Sequence, residues 1–485
     1  MTMQASSLSR RAFMLGAGAA GVGLVGCGSK ASGQSLLESA REVVSVRDFG
    51  AVSRPGHDNT AAIQAAVNAI QSRGGGVVHI PETYECGNIV VSRDGVVFYG
   101  PGAWLVNGRI TIQNGRQECG IEGLGIIDRR GDDRTFALDV GGRNCTFNDV
   151  SLVKDPIAGG YQMYLRPASA HCRFTGLRTK GSSGIFISGH DHLFRGFDLE
   201  SKMNVRAGGD DCFALKAPGA ETYNVVMENG VVRGYAAVLS IGSEVGTART
   251  DSAHTAVVRN VTLRNVVADR CARLVFIKPG ALSYDYRNGL VEDVTFSDLR
   301  LDDPTGFFFE CGVMIRAGRG AIVRRVTGRN IVIRARSHSQ GVFATSAAEI
   351  ATMIDGAAAR IEDVDLQLAF SDPFDGVARG PTTPGFPVDH VAIVKKLNPR
   401  HGSMSGIDLD IEGRGTRFGG IFVGAGLDGA VRIRRARLQR IGVNPPATVA
   451  GGGIWSDSRI TVEDAQIDAL GNRRFGGSAF PPGRE

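Results

Sequence analysis

The sequence predicts an all-β solenoid, a single-stranded parallel β-helix in which every turn of the chain adds one coil of short strands. Three observations favour this fold. Residues 85–470 read as short apolar strands broken by Gly, Asn and Asp, and helical periodicity is hard to find there. The strands recur at a spacing of about 20 to 40 residues. The repeating units contain no crossover helix, so we expect each strand to pair with its equivalent one turn away.

The repeat is clearest in segments whose polar residues alternate with Val, Leu and Ile. Residues 260–266 (NVTLRNV) recur as 293–299 (DVTFSDL) and as 325–331 (RVTGRNI). Shorter copies occur at 145–150, 172–177, 363–366, 407–411 and 465–468. A β-propeller also repeats at about 40 residues, but it requires four strands per blade at regular spacing. The irregular spacing here is typical of coils that carry loop insertions.

The first residues of the chain form a targeting signal rather than part of the folded domain. Residues 9–15 (SRRAFML) form a twin-arginine signal, and the apolar run at 17–25 is too short to span a bilayer as a mature helix. Residues 24–27 (LVGC) resemble the bacterial lipobox, which implies that Cys27 is lipidated and anchors the chain to the membrane. We therefore expect a periplasmic or outer-membrane lipoprotein of the bacterial envelope. The alternative is an ordinary cleaved signal with a chance cysteine.

A short helix is predicted just before the β region. Residues 44–52 alternate like a strand, and residues 61–73 place Ile63, Val67 and Ile70 on one helical face before three glycines end the helix. Such a helix would cover the open end of a sheet. The expected organisation is a signal peptide at 1–27, a linker at 28–43, one β-helix domain at 44–470 with its cap and first strands at 44–81, and a loose tail at 471–485.

Charge and cysteine content exclude some function classes. The formal charge is +6 at pH 7, and Arg10 and Arg11 supply two of these charges. The remainder is weakly compatible with an anionic polymer as partner. The basic residues are scattered and not interleaved with aromatic residues, so no nucleic-acid partner is expected. Beyond Cys27, seven widely spaced cysteines without a CxxC pair predict buried small side chains rather than disulfides or zinc ligands.

Two adjacent carboxylates are the strongest chemical signal in the chain. Asp210 and Asp211 follow Gly208 and Gly209 and precede an apolar run. Neighbouring side chains of a strand point to opposite faces, so one carboxylate would be buried at high cost unless the glycines bend the chain. Such a corner could present both carboxylates to solvent. Paired carboxylates are what glycosidic bond cleavage requires, although an acidic turn is the alternative interpretation.

Several segments together resemble a known superfamily. Residues 46–51, 58–66 and 75–81 are similar to the N-terminal signature of the pectate lyase superfamily, which includes rhamnogalacturonases, polygalacturonases and epimerase-like β-helix proteins. Further segments are similar to glycoside hydrolase family 28: residues 209–216 (GDDCFALK) to its acidic motif, 240–244 (SIGSE) to the stretch after its Gly-His-Gly, and 276–278 (FIK) to its Arg-Ile-Lys. The resemblance covers most of residues 44–300 and implies a right-handed β-helix.

The resemblance also implies roles for individual residues. In that family the reaction is single-displacement hydrolysis of a galacturonate-type backbone. By this likeness Asp211 protonates the leaving oxygen, Asp210 helps to activate water, and Lys278 holds a substrate carboxylate. The sequence departs from the family at three places, with residues 181–183 (GSS), residues 234–236 (GYA) and Phe276 standing where the family has a third acid, a histidine and an arginine.

Other polar residues are available to replace the missing groups. Those considered are Glu244, Asp251, His254, Asp191 and Arg273, with Glu244 preferred as a third catalytic residue because it follows a glycine turn about one coil after the acid pair. Substrate-binding candidates are Lys278, Lys216, Tyr284, Arg287 and His254. Tyr284 and Tyr286 would form a sugar-stacking platform, with loop packing as the alternative. His190 and His192, which flank Asp191, suggest a metal site, but this three-residue run is a weak signal without a further ligand, and no metal is predicted.

Three functions stay open from the sequence. The preferred one is an envelope-anchored glycoside hydrolase that acts on an acidic polysaccharide and needs no cofactor. The second is a polysaccharide lyase or epimerase, in which Lys216, Lys278 or Arg287 removes a proton and the aspartates bind Ca²⁺. The third is a β-helix that binds polysaccharide without catalysis.

Overall fold

The structure is a computed structural model that describes most of the chain from residue 42 onward. The described residues are 42–129, 135–154, 160–201, 210–218, 220–246, 256–280, 286–302, 311–334, 346–353, 356–371, 390–416, 419–441, 452–469, 473–476 and 478. They belong to one compact unit. The predicted signal peptide, its lipidation residue Cys27 and most of the linker lie outside the described residues. No helix within the described ranges is long and apolar enough to cross a bilayer.

Parallel strands stacked in two sheets form the body of the fold. Over the described residues, every strand pairing in both sheets is parallel. A 14-stranded sheet contains Asn88–Val91, Arg109–Ile112, Leu138–Val140, Tyr161–Leu165, Ser183–Ile187, Asp211–Pro218, Ala237–Gly246, Val275–Pro279, Cys311–Ala317, Ser346–Thr352, His390–Lys396, Gly419–Val423, Gly452–Ser456 and Arg473–Gly476.

The other sheet counts 22 strands within the same described ranges. They are Val43–Ser45, Gly76–His79, Tyr84–Glu85, Val96–Tyr99, Trp104–Val106, Gly120–Glu122, Gly125–Asp128, Thr146–Asn148, Ser151–Lys154, Arg173–Thr175, Arg178–Gly181, Gly189–Arg195, Asp198–Ser201, Glu221–Arg233, Val257–Asp269, Leu290–Asp302, Ile322–Arg334, Arg360–Ser371, Ser403–Thr416, Val431–Ile441, Ile460–Val462 and Ala465–Ile467. The predicted all-β, right-handed parallel β-helix is confirmed.

The core is a stack of equivalent apolar side chains from successive coils. One column on the 14-stranded sheet runs through Ile187, Leu215, Ile241, Ile277 and Ile315, each in register with the next and each fully buried. On the 22-stranded sheet a second column stacks three phenylalanine rings with centroids 4.5 and 4.6 Å apart; these are Phe147, Phe174 and Phe194. Such columns bury apolar area continuously, which is the driving force for solenoid folding.

The repeat found in the sequence is the register of the 22-stranded sheet. Residues 260–266 lie beside 293–299, which lie beside 325–331. Asn229 and Asn265 occupy equivalent positions with φ of 59° and 53°, a left-handed conformation that Asn tolerates better than most residues. The Asn265 Nδ2 donates to Asn229 Oδ1 at 2.8 Å. The recurring Asn and Asp residues therefore mark left-handed positions inside the long strands, where the ladder of paired residues is interrupted.

The predicted capping helix is present and closes one edge of the 14-stranded sheet. Helix α1 spans Thr60–Ser72 and buries Ile63, Val67 and Ile70. The first strand of the sheet, Asn88–Val91, has α1 in place of a preceding strand. Gln64 supplies the missing pairing, because its Oε1 accepts from Val90 N at 2.8 Å and its Nε2 donates to Val90 O at 3.0 Å. The helix thus satisfies backbone groups that an open edge would leave exposed.

Two boundary predictions were wrong. The strand expected over residues 44–52 ends early, because Val43–Ser45 is a strand and Val46–Phe49 is a 3₁₀ helix. Ser45 caps this helix through its side chain, and Gly50 ends it with a φ of 87°. At the other end, Arg473–Gly476 falls within the predicted loose tail but forms a strand that pairs with Gly452–Ser456. The sheet continues there because another coil edge is available for pairing.

The cysteines behave as predicted. Six free cysteines in the described part of the chain are buried: Cys86, Cys119, Cys145, Cys172, Cys212 and Cys271. Burial raises the pKa of the Cys271 thiol to about 12, so this thiol stays protonated and unreactive.

Candidate active site

The acid pair lies where a coil enters the 14-stranded sheet. Asp211 is the first residue of the strand Asp211–Pro218. The backbone of Asp210 is tied to both neighbouring coils, since its N–H donates to Ser182 O at 3.4 Å and its carbonyl accepts from Ala236 N at 3.1 Å. Asp210 is exposed, whereas Asp211 is only 6% exposed. The expectation that both carboxylates face solvent was therefore wrong for Asp211: the strand begins there and carries that residue inside.

Burial makes Asp211 a weaker acid than an ordinary aspartate. It raises the pKa of the Asp211 carboxyl, and the negative charge of Asp210 acts in the same direction. The ammonium groups of Lys278 and Lys216 oppose this shift, and Lys278 is the stronger of the two. The site therefore contains two neighbouring carboxyl groups of different character. Asp211 keeps its proton to higher pH than an ordinary aspartate, and Asp210 is exposed to solvent. Asp211 and Lys278 lie close enough to interact, although 67 positions separate them in the chain (278 minus 211).

Tyr161 completes the surroundings of Asp210. Its side chain is hydrogen-bonded to Asp210. Burial, followed by the charges of Asp210 and Asp211, raises the pKa of the Tyr161 hydroxyl well above its ordinary value. The hydroxyl therefore stays protonated, and its O–H donates the hydrogen bond to the Asp210 carboxylate.

Glu244 and Lys216 form an ion pair next to this tyrosine. Lys216 Nζ lies 2.9 Å from Glu244 Oε1, and the two side chains are 13% and 18% exposed. The ammonium also lies 5.5 Å from the ring centroid of Tyr161 and 4.9 Å from that of Phe186. Glu244 Oε2 is buried without a protein hydrogen-bond partner among the described residues. Lys216 is therefore held by Glu244 and by two rings, and Glu244 places a second carboxylate beside Tyr161.

Phe276 stands where the resembled family has arginine, and two cations lie close to its ring. Lys278 Nζ lies 4.1 Å from the Phe276 ring centroid, and Arg273 Cζ lies 4.5 Å from it. Phe276 pairs in register with Ser240 in the preceding coil. Arg273 is 6% exposed. Arg273, three residues before Phe276 in the chain, therefore places a guanidinium group near the position where the resembled family has its arginine.

An aromatic row leads away from the acid pair along the same sheet. Ring centroids of Phe136 and Tyr164 are 5.0 Å apart, those of Tyr164 and Phe186 are 4.8 Å apart, and those of Tyr161 and Phe186 are 5.6 Å apart. All four rings are partly exposed. We call Phe136, Tyr164, Phe186 and Tyr161 the aromatic row. Partly exposed rings in a row can stack on the apolar faces of sugars.

Basic side chains continue along the sheet beyond Lys278. Ile277 pairs with Ile315, so Lys278 and Arg316, which follow these residues, lie in adjacent coils. Arg316 and Lys395 both contact the buried Glu349, at 2.7 and 3.2 Å. Two cations share one anion there, which leaves this part of the sheet net positive.

The structure brings some of the remaining candidates into the site and places others elsewhere. Tyr286 is near Glu244 and Lys216. Burial raises the pKa of its hydroxyl most, the charge of Glu244 raises it further, and the charge of Lys216 lowers it. Arg287 follows Tyr286 and is exposed. His190 and Asp191 belong to the strand Gly189–Arg195 of the other sheet. Three further candidates lie outside the described residues, namely Asp251, His254 and Tyr284.

The three departures from the resembled family have distinct structural outcomes. Ser183 lies next to Asp211, one coil earlier in the sheet. This follows from the pairing of Ile185 with Phe213, because Ser183 and Asp211 each stand two residues before their member of that pair. Ser183 is 3% exposed and brings no acid. Tyr235 is fully buried and its hydroxyl lies 3.2 Å from Thr179 Oγ1, which makes it a core residue.

The acid pair is a poor fit for the Ca²⁺ that a lyase would use. Calcium prefers six to eight oxygen ligands, rich in carboxylates. Two ammonium groups, those of Lys278 and Lys216, already interact with Asp211. Among the described residues, Asp210 and Asp211 do not belong to a cluster of three ligand side chains. The ammonium groups thus occupy the surroundings in which calcium would need further oxygen ligands.

Comparisons with solved structures agree with the fold. A mutant of the tailspike protein of E. coli bacteriophage HK620 is similar with a TM-score of 0.56 and 13% identity, over 82% of this chain and 78% of the tailspike. A second tailspike mutant, in complex with a pentasaccharide, gives a TM-score of 0.55 and 12% identity, over 90% of this chain and 78% of its own. The protein is a right-handed parallel β-helix. At these identities the likeness concerns the fold alone.

The β-helix is also similar to the family 28 exopolygalacturonase of Yersinia enterocolitica, with a TM-score of 0.49 and 13% identity over 90% of this chain and 78% of that one. No protein-family model matches the sequence, and no curated protein matches it significantly.

Proposed function

We propose that this β-helix is a glycoside hydrolase of the polygalacturonase or rhamnogalacturonase type that cleaves an acidic, uronate-containing polysaccharide. The observation that carries the proposal is the contrast within the acid pair: Asp211 is buried with a raised pKa, and Asp210 beside it is exposed. Enzymes that cleave glycosidic bonds use one carboxyl as an acid and another as a base, and different surroundings assign the two roles.

The proposed reaction is a single displacement. Asp211 gives its proton to the glycosidic oxygen as the bond to the anomeric carbon breaks. Asp210 accepts a proton from the water whose oxygen attacks that carbon from the opposite side, so the products are two saccharides with inverted configuration at the new end. Tyr161 holds Asp210 by a hydrogen bond during this step. Glu244 is a second candidate base, because its Oε2 lacks a protein hydrogen-bond partner among the described residues.

The preference for an acidic polymer rests on the basic groups around the acid pair. Lys278 would bind a uronate carboxylate next to Asp211, and the adjacent Arg316 would extend this positive surface to further sugars. The aromatic row would stack on sugar faces on the other side. A tailspike of similar fold was solved in complex with a hexasaccharide, which supports an oligosaccharide as ligand.

The cellular location follows from residues 1–27 alone. We propose export by the twin-arginine route and lipidation at Cys27, which would place the enzyme at the bacterial envelope. Incorporation of radiolabelled palmitate into wild type and not into Cys27→Ser would support the anchor, and equal labelling of both would contradict it.

The test of the reaction is release of reducing sugars from pectic polymers. Wild type should release them, and Asp211→Asn should release them about 10²- to 10⁴-fold more slowly. The matched control is Asp149→Asn, an aspartate that directly follows the strand Thr146–Asn148 and whose side chain is 70% exposed; it should keep wild-type activity. Products that absorb in the ultraviolet would indicate a lyase, and binding without any product would indicate a polysaccharide-binding protein. Either result would refute the hydrolase.

A further inference from the structure

Three metal-ligating side chains meet on the 22-stranded sheet, outside the proposed active site. His171, His190 and Asp191 each offer a ligand atom, and these atoms lie within 4.8 Å of one another. Asp191 Oδ2 is 2.6 Å from His190 Nδ1 and 3.7 Å from His171 Nε2. The sequence suggested a different set, because His192 is nearer in the chain than His171.

His192 is excluded from this cluster by its burial. It is 1% exposed, and its ring lies 3.3 Å from Cys172 N and 3.2 Å from Ser169 Oγ. Both ring nitrogens of His192 are therefore engaged by groups of the core. His171 takes its place in the cluster because the preceding coil stacks directly on the coil that carries Asp191; the His171 N–H donates to His190 O at 3.0 Å.

The distances suit a small tetrahedral metal ion. Zinc binds imidazole nitrogen and carboxylate oxygen at about 2.0–2.2 Å, which places neighbouring ligand atoms roughly 3.3 Å apart in a tetrahedron. The observed separations of 2.6 and 3.7 Å lie on either side of this value. The side chains of His171, His190 and Asp191 are 57%, 25% and 27% exposed, so small rotations can close the geometry and an ion can enter from solvent.

Neighbouring side chains already orient two of the three ligands. Asn224 Nδ2 donates to Asp191 Oδ1 at 2.8 Å, which leaves Oδ2 directed at the histidines. The His190 ring stacks on Tyr223 with centroids 4.6 Å apart and planes 2° apart. Metal sites in proteins are built with such outer partners, which fix the ligands before the ion arrives. The contacts of Asn224 and Tyr223 therefore favour a built metal site over histidines that lie close together by chance.

The local charge is compatible with a dication. When two imidazoles bind a metal ion they do so as neutral ligands, so with the carboxylate the three side chains would present a charge of −1 to the ion. Two positive groups share this row, each two register steps from His190: Arg143 on one side and Arg259 on the other. Arg259 lies over the Tyr223 ring at 5.2 Å and pairs with Glu221 at 2.9 Å. Because His190, Tyr223 and Arg259 are consecutive in register, the tyrosine ring stands between the Arg259 guanidinium and the cluster.

We propose that His171, His190 and Asp191 bind one divalent transition-metal ion of the zinc type. The ion would cross-link two successive coils and thereby stabilise the β-helix, independently of the proposed hydrolase. Two nitrogen ligands favour zinc over calcium or magnesium, which prefer oxygen.

The experiment is calorimetric titration of the full chain, purified without a polyhistidine tag and stripped with a chelator. Zn²⁺ should bind at one ion per chain, whereas Ca²⁺ and Mg²⁺ should not bind at this site. His171→Ala and Asp191→Asn should abolish zinc binding, and Asn224→Ala should weaken it about 10- to 100-fold by releasing the carboxylate. The control His57→Ala, which lies outside the cluster, should bind zinc like wild type.

A thermal readout separates a structural ion from adventitious binding. Zinc should raise the melting temperature of wild type with increasing concentration, and it should not raise that of His171→Ala. Each of three results would overturn the proposal: no saturable binding to wild type, equal binding to His171→Ala, or binding without any thermal shift. Circular dichroism of the metal-free variants establishes that they remain folded.

Discussion

Replacing Asp211 by asparagine should stabilise the protein and inactivate it. The raised pKa means that the surroundings disfavour the ionised carboxyl even with Lys278 nearby. At neutral pH the folded state therefore carries a penalty of about 1.4 kcal/mol for every unit by which the folded pKa exceeds the unfolded one. Asparagine has nearly the same shape and no charge, so Asp211→Asn should remove this penalty.

The sign of the pH dependence follows from the same shift. A carboxyl whose folded pKa is raised binds its proton more tightly in the folded state, so the stability of wild type falls as pH rises from the unfolded pKa to the folded one. The stability gain of Asp211→Asn should therefore be absent below about pH 4, the pKa of the unfolded state. It should grow as the pH rises toward the pKa of the folded state and be complete above that pKa. General acid catalysis contributes about 10²- to 10⁴-fold, so activity should fall by that factor, roughly 2.7–5.4 kcal/mol of activation free energy.

The assay combines urea denaturation at several pH values with reducing-sugar release. Asp149→Asn is the control, and its stability should stay within about 0.5 kcal/mol of wild type at every pH. A loss of stability in Asp211→Asn at neutral pH would refute the buried-acid interpretation. Full activity in that variant would refute its role as the acid.

Further predictions concern the cation, the aromatic row and the left-handed positions. Activity should decline as pH rises through the pKa of Asp211, and Lys278→Met should move this decline to higher pH, because Lys278 is the strongest group that lowers that pKa; an unmoved pH profile would contradict the contact. Phe186→Leu should raise KM by about 2- to 12-fold with little change in kcat, since a ring contact is worth about 0.5–1.5 kcal/mol; an unchanged KM would remove the aromatic row from the site. Asn265→Ala should cost more stability in denaturation than Asn265→Gly, because both lose the hydrogen bond to Asn229 and only alanine is strained at a φ of 53°; the reverse order would contradict this account.

Much of the fold could be predicted because the same physical demand recurs in every coil. Apolar side chains such as Val261, Val294 and Val326 occupy one stacked column and must recur in the sequence at equivalent positions. Left-handed positions inside the long strands favour asparagine and aspartate, which is why Asn260 and Asn265 belong to the repeat. The strand boundaries could not be predicted as well, because a side-chain cap decides them, as Ser45 does for the 3₁₀ helix.

The candidate site was only partly predictable. The sequence indicated Asp210, Asp211 and Lys278, because their order resembles a known pattern. It did not indicate Tyr161 or Phe186, which come from earlier coils and reach the acid pair only through the register of the sheet. Loop insertions vary the length of each coil, so the register cannot be counted from the sequence.

The metal cluster illustrates the same limit. Three consecutive residues, His190 to His192, suggested a possible site, but alternation along the strand turns His192 into the core. The ligand that joins the other two, His171, comes from the coil before. Contacts across coils therefore decide both sites.

The most direct measurement is product analysis by mass spectrometry after digestion of an acidic oligosaccharide in water that carries a heavy oxygen isotope. If Asp210 activates water while Asp211 protonates the leaving group, each cleavage by wild type should place one heavy oxygen atom in the saccharide that supplies the new reducing end, and Asp211→Asn should form this product about 10²- to 10⁴-fold more slowly. Unsaturated products without the heavy isotope, or equal cleavage by Asp211→Asn, would contradict the proposed chemistry.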